Sequence, residues 1–93
     1  MRTIKQSGQF KRDLKREAKG PYRSALREDF VTLVESLAKD QVLAPRYQDH
    51  ALTGDRKDFR DCHVKPDLVL IYRKPDDETL QLVRLGSHSE LGF

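Results

Sequence analysis

The chain has no tryptophan, one methionine and a single cysteine, Cys62. One cysteine excludes an internal disulfide and a Cys-x-x-Cys metal pair. No apolar run approaches the ~20 residues needed to span a bilayer. The opening residues, Met1-Arg2-Thr3-Ile4-Lys5-Gln6, lack the apolar core of a secretory signal. Together these absences predict a cytoplasmic protein. At 93 residues, with 37% hydrophobic and 35% charged, the chain is expected to form one domain, residues 1–93, around one small core.

What is present is charge, unevenly placed. Residues 1–27 hold nine Lys or Arg against Asp13 and Glu17, a surplus of seven, while the remainder carries a deficit of four. A concentrated basic segment is the electrostatic footprint of a nucleic-acid binder, although a solvated helix face has the same composition.

Thr3 to Ser7 suits an edge or joining strand. From Gln9 to Lys19, Phe10, Leu14 and Ala18 recur every four residues, which predicts a helix burying a narrow stripe. Lys11, Lys15 and Lys19 form the neighbouring row, with Arg12 and Arg16 beside it. Gly20-Pro21 ends that helix and starts another, to about Lys39, with Leu26, Phe30, Leu33, Val34 and Leu37 facing the core. The two helices are expected to form a hairpin. Residues 40–58, broken by Pro45 and Gly54, read as an ordered loop carrying His50. Three strands follow: Phe59–Val64, Asp67–Lys74 and Thr79–Gly86, then a tail from Ser87. The run Leu68-Val69-Leu70-Ile71-Tyr72 is apolar at every position, as in a central strand covered on both faces. In the third strand Leu80 and Leu82 are the packing positions, with Leu85 a further candidate.

An antiparallel meander of these strands places His63 and Asp67 at one end of the sheet. The third strand returns Arg84 to that level, and His88 emerges just beyond. This logic places neither His50 nor the face each side chain takes, since a one-residue slip exchanges the faces of a strand.

Three histidines also suit a catalytic zinc, but no closely spaced ligand pair occurs. Metal-free cleavage of RNA fits better. RNA brings its own nucleophile, the 2′-hydroxyl. Histidine titrates near neutrality and serves as base or acid, and arginine supplies a fixed charge for phosphate oxygens. Lys11, Arg12, Lys15 and Arg16, with Arg60, are candidates for holding the flanking RNA, and Phe93 for stacking on a base.

Three motifs carry a resemblance along nearly the whole chain: Asp49-His50-Ala51-Leu52-x-Gly54, Arg60-Asp61-Cys62-His63-Val64-x-Pro66-Asp67, and Arg84-x-Gly86-Ser87-His88-Ser89-Glu90-Leu91. In this order and spacing the chain resembles the YafQ-type branch of the RelE/ParE toxin superfamily. The resemblance implies an α+β, RelE-like fold, β-α-α-β-β-β, with a helical hairpin on a small, mainly antiparallel sheet. It also implies a ribosome-dependent mRNA endonuclease, the toxin of a type II toxin–antitoxin pair. Such a protein cuts messenger in the ribosomal A site with no metal or other cofactor, and its partners are a cognate antitoxin, the ribosome and mRNA. His50, His63, Asp67 and His88 occupy the family's catalytic positions. Arg84 stands where a phosphate-stabilising arginine is expected, Asp61 is a weaker candidate, and His88 is the expected general acid. The base is left open among His50, His63 and Asp67. Two departures stand out: Leu68 replaces the family's Trp, and Gly92 holds the place of the tail aromatic, with Phe93 one residue later. A gyrase-inhibiting relative of the same superfamily, or a toxin reduced to antitoxin binding, is the alternative.

Overall fold

The computed structural model describes residues 1–54 and 58–92. It runs β1 (Thr3–Gln6), α1 (Gly8–Glu17), α2 (Arg23–Arg27), α3 (Asp29–Ala38), a 3₁₀ turn (Pro45–Tyr47), β2 (His50–Ala51), β3 (Arg60–Lys65), β4 (Leu68–Arg73), β5 (Thr79–Gly86) and α4 (His88–Leu91). The sheet order is β1-β5-β4-β3-β2, with β1 parallel to β5 and the other neighbours antiparallel. The expected meander of β3, β4 and β5 is present. The loop around His50 adds a short fifth strand, and the tail adds a short helix.

Helices cover one sheet face. There Phe10, Phe30, Leu33 and Leu37 meet Cys62, Val64, Leu68, Leu70, Tyr72, Leu80, Leu82 and Leu85. On the other face Val69 and Ile71 pack with Leu91 of α4, flanked by Leu52, Phe59 and Val83. Central β4 is therefore buried on both faces, as its unbroken apolar run requires.

The expected second helix is broken into α2 and α3. Glu28, between them, has a non-helical backbone (φ −114°, ψ −80°). Leu26 is only partly buried, while Ala25 and Phe30 are buried. The first helix departs from expectation as well. Ala18 is exposed, and α1 buries Phe10, Asp13 and Glu17, with Leu14 partly buried.

That rotation of α1 has a cause. β1 pairs β5 only from Thr79 to Leu82, so the remaining half of β5 has an open edge whose backbone groups need partners. α1 supplies them. Ser7 caps α1 by accepting from Phe10 N and donates its hydroxyl to Val83 O at 2.8 Å. Asp13, with no exposed surface, accepts from Leu85 N at 3.0 Å and from Arg84 Nε at 2.8 Å. Arg16 donates to Leu85 O at 2.8 Å and to Asp13 at 3.1 Å. Burial alone would raise the Asp13 carboxyl. Arg84, the Leu85 amide and Gln9 outweigh it and hold Asp13 below the ordinary carboxylate value.

Two register shifts set which side chains face where. Ile71 pairs with Arg84 but Tyr72 with Leu82, so Val83 is an extra residue in β5. Likewise His63 pairs with Val69 and Lys65 with Leu68, which leaves Val64 extra in β3. Bulges of this kind re-aim side chains. The one in β5 explains how Leu80, Leu82 and Leu85 all reach the helical core despite breaking strict alternation.

Replacing Asp13 with Ala should cost about 2–3 kcal/mol in urea unfolding, since a buried N–H and a guanidinium lose their acceptor. Asp13→Asn should cost less. Because the folded carboxyl titrates below its unfolded value near 3.8, the stability it confers is complete above that pH. It is lost as pH falls through the lowered folded value, so the wild type should forfeit its advantage over Asp13→Ala in acid.

Candidate active site

His50 is placed by the residues around it. Asp49 accepts from Tyr72 Oη at 2.5 Å and from Arg60 Nε at 3.2 Å, which fastens the approach to β2 onto β4 and β3. Gln48 takes a left-handed backbone, φ 48°, and its carbonyl lies 2.8 Å from His50 Nδ1. A carbonyl only accepts, so in the neutral ring Nδ1 bears the proton and Nε2 carries the lone pair. Tyr72, buried and facing Asp49, has its phenol pushed well above the usual value.

β2 sets His50 opposite Asp61 of β3. Asp61 Oδ1 is 3.0 Å from His50 Nδ1, but hydrogen-bond geometry is met at the Gln48 carbonyl instead. Asp61, 5% exposed, thus keeps a buried oxygen beside the ring with no hydrogen bond of its own. Burial raises its carboxyl above the ordinary value, and positive charge on His50, His63 and His88 pulls the other way. One buried carboxylate therefore senses all three histidines.

The remaining groups meet at the β3–β4 turn. His63 lies two residues beyond Asp61 on β3, and Asp67 closes the turn. Ser87 caps α4 in a reciprocal capping box with Glu90, which sets His88 at the first position of that helix. Asp67 Oδ1 accepts from His88 N at 3.0 Å, and His88 Nδ1 lies 2.7 Å from the same oxygen. The His88 amide and ring hold the Asp67 carboxyl below its ordinary value. The His63 and His88 rings meet edge to face, centroids 5.1 Å apart. His63, Asp67 and His88 do share one end of the sheet, and β2 brings His50 to Asp61 beside them.

Arg84 borders a small apolar hollow with Leu52, Phe59, Ile71, Val83 and Leu91, its guanidinium fixed by Asp13. Among the basic residues, Lys11, Arg12 and Lys15 are exposed on α1. Arg16, exposed as well, and Arg60 also have internal duties. Arg60 serves Asp49 and Tyr72. Arg16 binds Asp13, Glu17, the Leu85 carbonyl and Glu90, the last at 2.9 Å. It thereby ties α4, and with it His88, to α1. A Cβ at Gly86 would lie 2.7 Å from the Arg16 head and 3.3 Å from Glu90, so a larger residue there would have to push the Arg16 guanidinium aside. Phe93 lies outside the described residues. Composition missed these internal duties because it counts charges and not partners. The capping box, Ser87-x-x-Glu90, was a readable signal for α4.

Cys62 is buried, and burial raises its thiol far above the usual range, so it is inert. Among the described residues no group of three or more His, Cys, Asp or Glu is arranged to hold a metal, and no helix is long and apolar enough to cross a membrane.

Asp61→Asn is expected to raise stability at neutral pH, because it removes a buried charge. The folded carboxyl titrates above its unfolded value. Its contribution is therefore most favourable at low pH and declines as pH rises through the folded value. Urea unfolding of both proteins should show the variant's advantage larger near pH 7 than near pH 4.

Residues 2–92 match the family model described as "Bacterial toxin of type II toxin-antitoxin system, YafQ". An Escherichia coli K12 protein named mRNA interferase toxin YafQ is 37% identical over 91 residues, 97% of this chain and 95% of its own. Among solved structures, a metal-bound toxin from Helicobacter pylori is 48% identical with a TM-score of 0.81, covering 98% of this chain and 99% of that one. The toxin of the E. coli DinJ-YafQ complex is 33% identical with a TM-score of 0.79, covering 98% of each. With a family match over residues 2–92 and relatives above 30% identity, this chain belongs to the YafQ family of type II toxin–antitoxin toxins.

Proposed function

We propose that the protein is an endoribonuclease that cuts mRNA in the ribosomal A site, without a metal, by attack of the RNA's own 2′-hydroxyl. The carrying observation is the Asp67–His88–His63 arrangement, a carboxylate-oriented imidazole in ring contact with a second imidazole. The mRNA interferase name of the E. coli relative supports the substrate class. The DinJ-YafQ complex supports a cognate antitoxin as partner.

His88 is the general acid. The ionised Asp67 carboxylate only accepts, so it fixes the proton on His88 Nδ1 and stabilises the imidazolium. The Nε2 proton then passes to the departing 5′ oxygen. Asp67 is a poor base, since its carboxyl titrates below the ordinary value and already bonds His88 twice. The base is therefore His50 or His63. Arg84, its side chain 32% exposed and oriented by Asp13, supplies charge for the phosphorane. Lys11, Arg12 and Lys15 take phosphates of the flanking RNA or ribosome. Arg16 and Arg60 act through the site's framework.

Mapping mRNA 5′ ends after brief induction should show new cuts within translated codons. His88→Ala should reduce cutting on the order of 10²–10⁴-fold while keeping its urea transition. EDTA should leave the wild-type rate unchanged; a rate restored only by added metal would refute metal independence. Normal cutting by His88→Ala would refute the assigned acid.

A further inference from the structure

We propose that the cleft between the Pro45–Tyr47 turn and the outer half of β3 is a nucleotide subsite, taking the base on the 5′ side of the cleaved bond. The proposal rests on the RNA-cleaving function above.

The cleft exists because β2 pairs with β3 only through His50–Asp61 and Ala51–Arg60. Beyond Asp61 the strand faces the 3₁₀ turn across a space of about 350 Å³, bounded by Asp29, Arg46, Tyr47, Gln48, His63 and Lys65. That is room for roughly ten waters, enough for a base and part of its ribose.

Its walls carry base-binding chemistry. Tyr47 is half-buried, with its ring packed against the helical core. The Arg46 guanidinium lies 4.8 Å from that ring's centroid and donates to Tyr47 Oη at 2.8 Å. A guanidinium already steadied on an aromatic ring offers its other face to a base, and single-stranded RNA bases stack on such planes. Gln48 brings an amide with both donor and acceptor, able to read a base edge, while its own carbonyl orients His50. Lys65 stands at the wall, paired with Asp29 at 2.5 Å, as a cation for a phosphate oxygen.

Direction follows from the histidines. His88 delivers its proton to the 5′ oxygen of the nucleotide after the cut. The cleft opens at His63, the other member of that ring pair. Both candidate bases adjoin it, His63 in its wall and His50 on the Gln48 carbonyl. Either acts on the 2′-hydroxyl of the nucleotide before the cut, so the cleft receives that nucleotide, and Arg46 and Gln48 contribute to base preference there.

The test uses a short RNA blocked by 2′-O-methylation at the cut, and the same RNA with the 5′-side base removed. With wild-type protein, the base-bearing RNA should shift the NMR signals of Arg46 Nε–H and the Tyr47 ring, and the abasic RNA should not. Arg46→Ala should bind the base-bearing RNA on the order of ten-fold more weakly and the abasic RNA equally well. Arg46 is exposed, so the fold should survive, and a circular dichroism melt checks it. In mapped mRNA ends, Arg46→Ala and Gln48→Ala should alter base frequencies 5′ of the cut but not 3′ of it. Identical wild-type shifts with both RNAs, or an unchanged 5′ profile in both variants, would overturn the subsite alone. Absence of cut ends with wild type would overturn the parent function, and the binding measurements would still decide the cleft.

Discussion

A carboxylate with no exposed surface, Asp13, sits where β5 loses its neighbouring strand. A buried carboxylate is costly unless its lone pairs are used, and here they are used four ways, by Gln9, Arg16, Arg84 and the Leu85 amide. It substitutes for the missing strand as a backbone acceptor. The same atoms orient Arg84 and anchor Arg16, which reaches on to Glu90 and holds α4. His88 leads that helix. The position of His88 thus descends, contact by contact, from a sheet edge that one helix had to satisfy.

The bulges complete the placement. Without the extra Val83, either Leu85 or the pair Leu80 and Leu82 would face away from the helical core. With it, Leu85 turns inward and Arg84 borders the hollow beneath α4. Apolar burial drives this, since each leucine brought inside is worth ~1.5–3 kcal/mol. The arginine's placement is a consequence of where the leucines go.

Much of this was legible in the residues. The strand periods and turn residues located β3, β4 and β5, and the meander alone brought His63, Asp67 and His88 to one end. His50 was not legible, because two paired residues in a loop leave no periodic trace. The break at Glu28 was hidden by a helical apolar spacing that continues through it. The basic segment was legible as charge but not as function. Arg16 and Arg60 bind acceptors distant in sequence, and no count of charges reveals that.

Asp61 shows why the histidines should be treated as one electrostatic unit. A buried carboxylate with an oxygen lacking a hydrogen-bond partner is unfavourable by itself. Positive charge on any of the three histidines relieves it. Their surroundings then divide the cluster. His88 Nδ1 faces the Asp67 carboxylate, which the His88 amide and ring hold below the ordinary value. His50 Nδ1 faces the neutral Gln48 carbonyl. His88 and His50 thus differ in which acceptor the fold places behind each Nδ1.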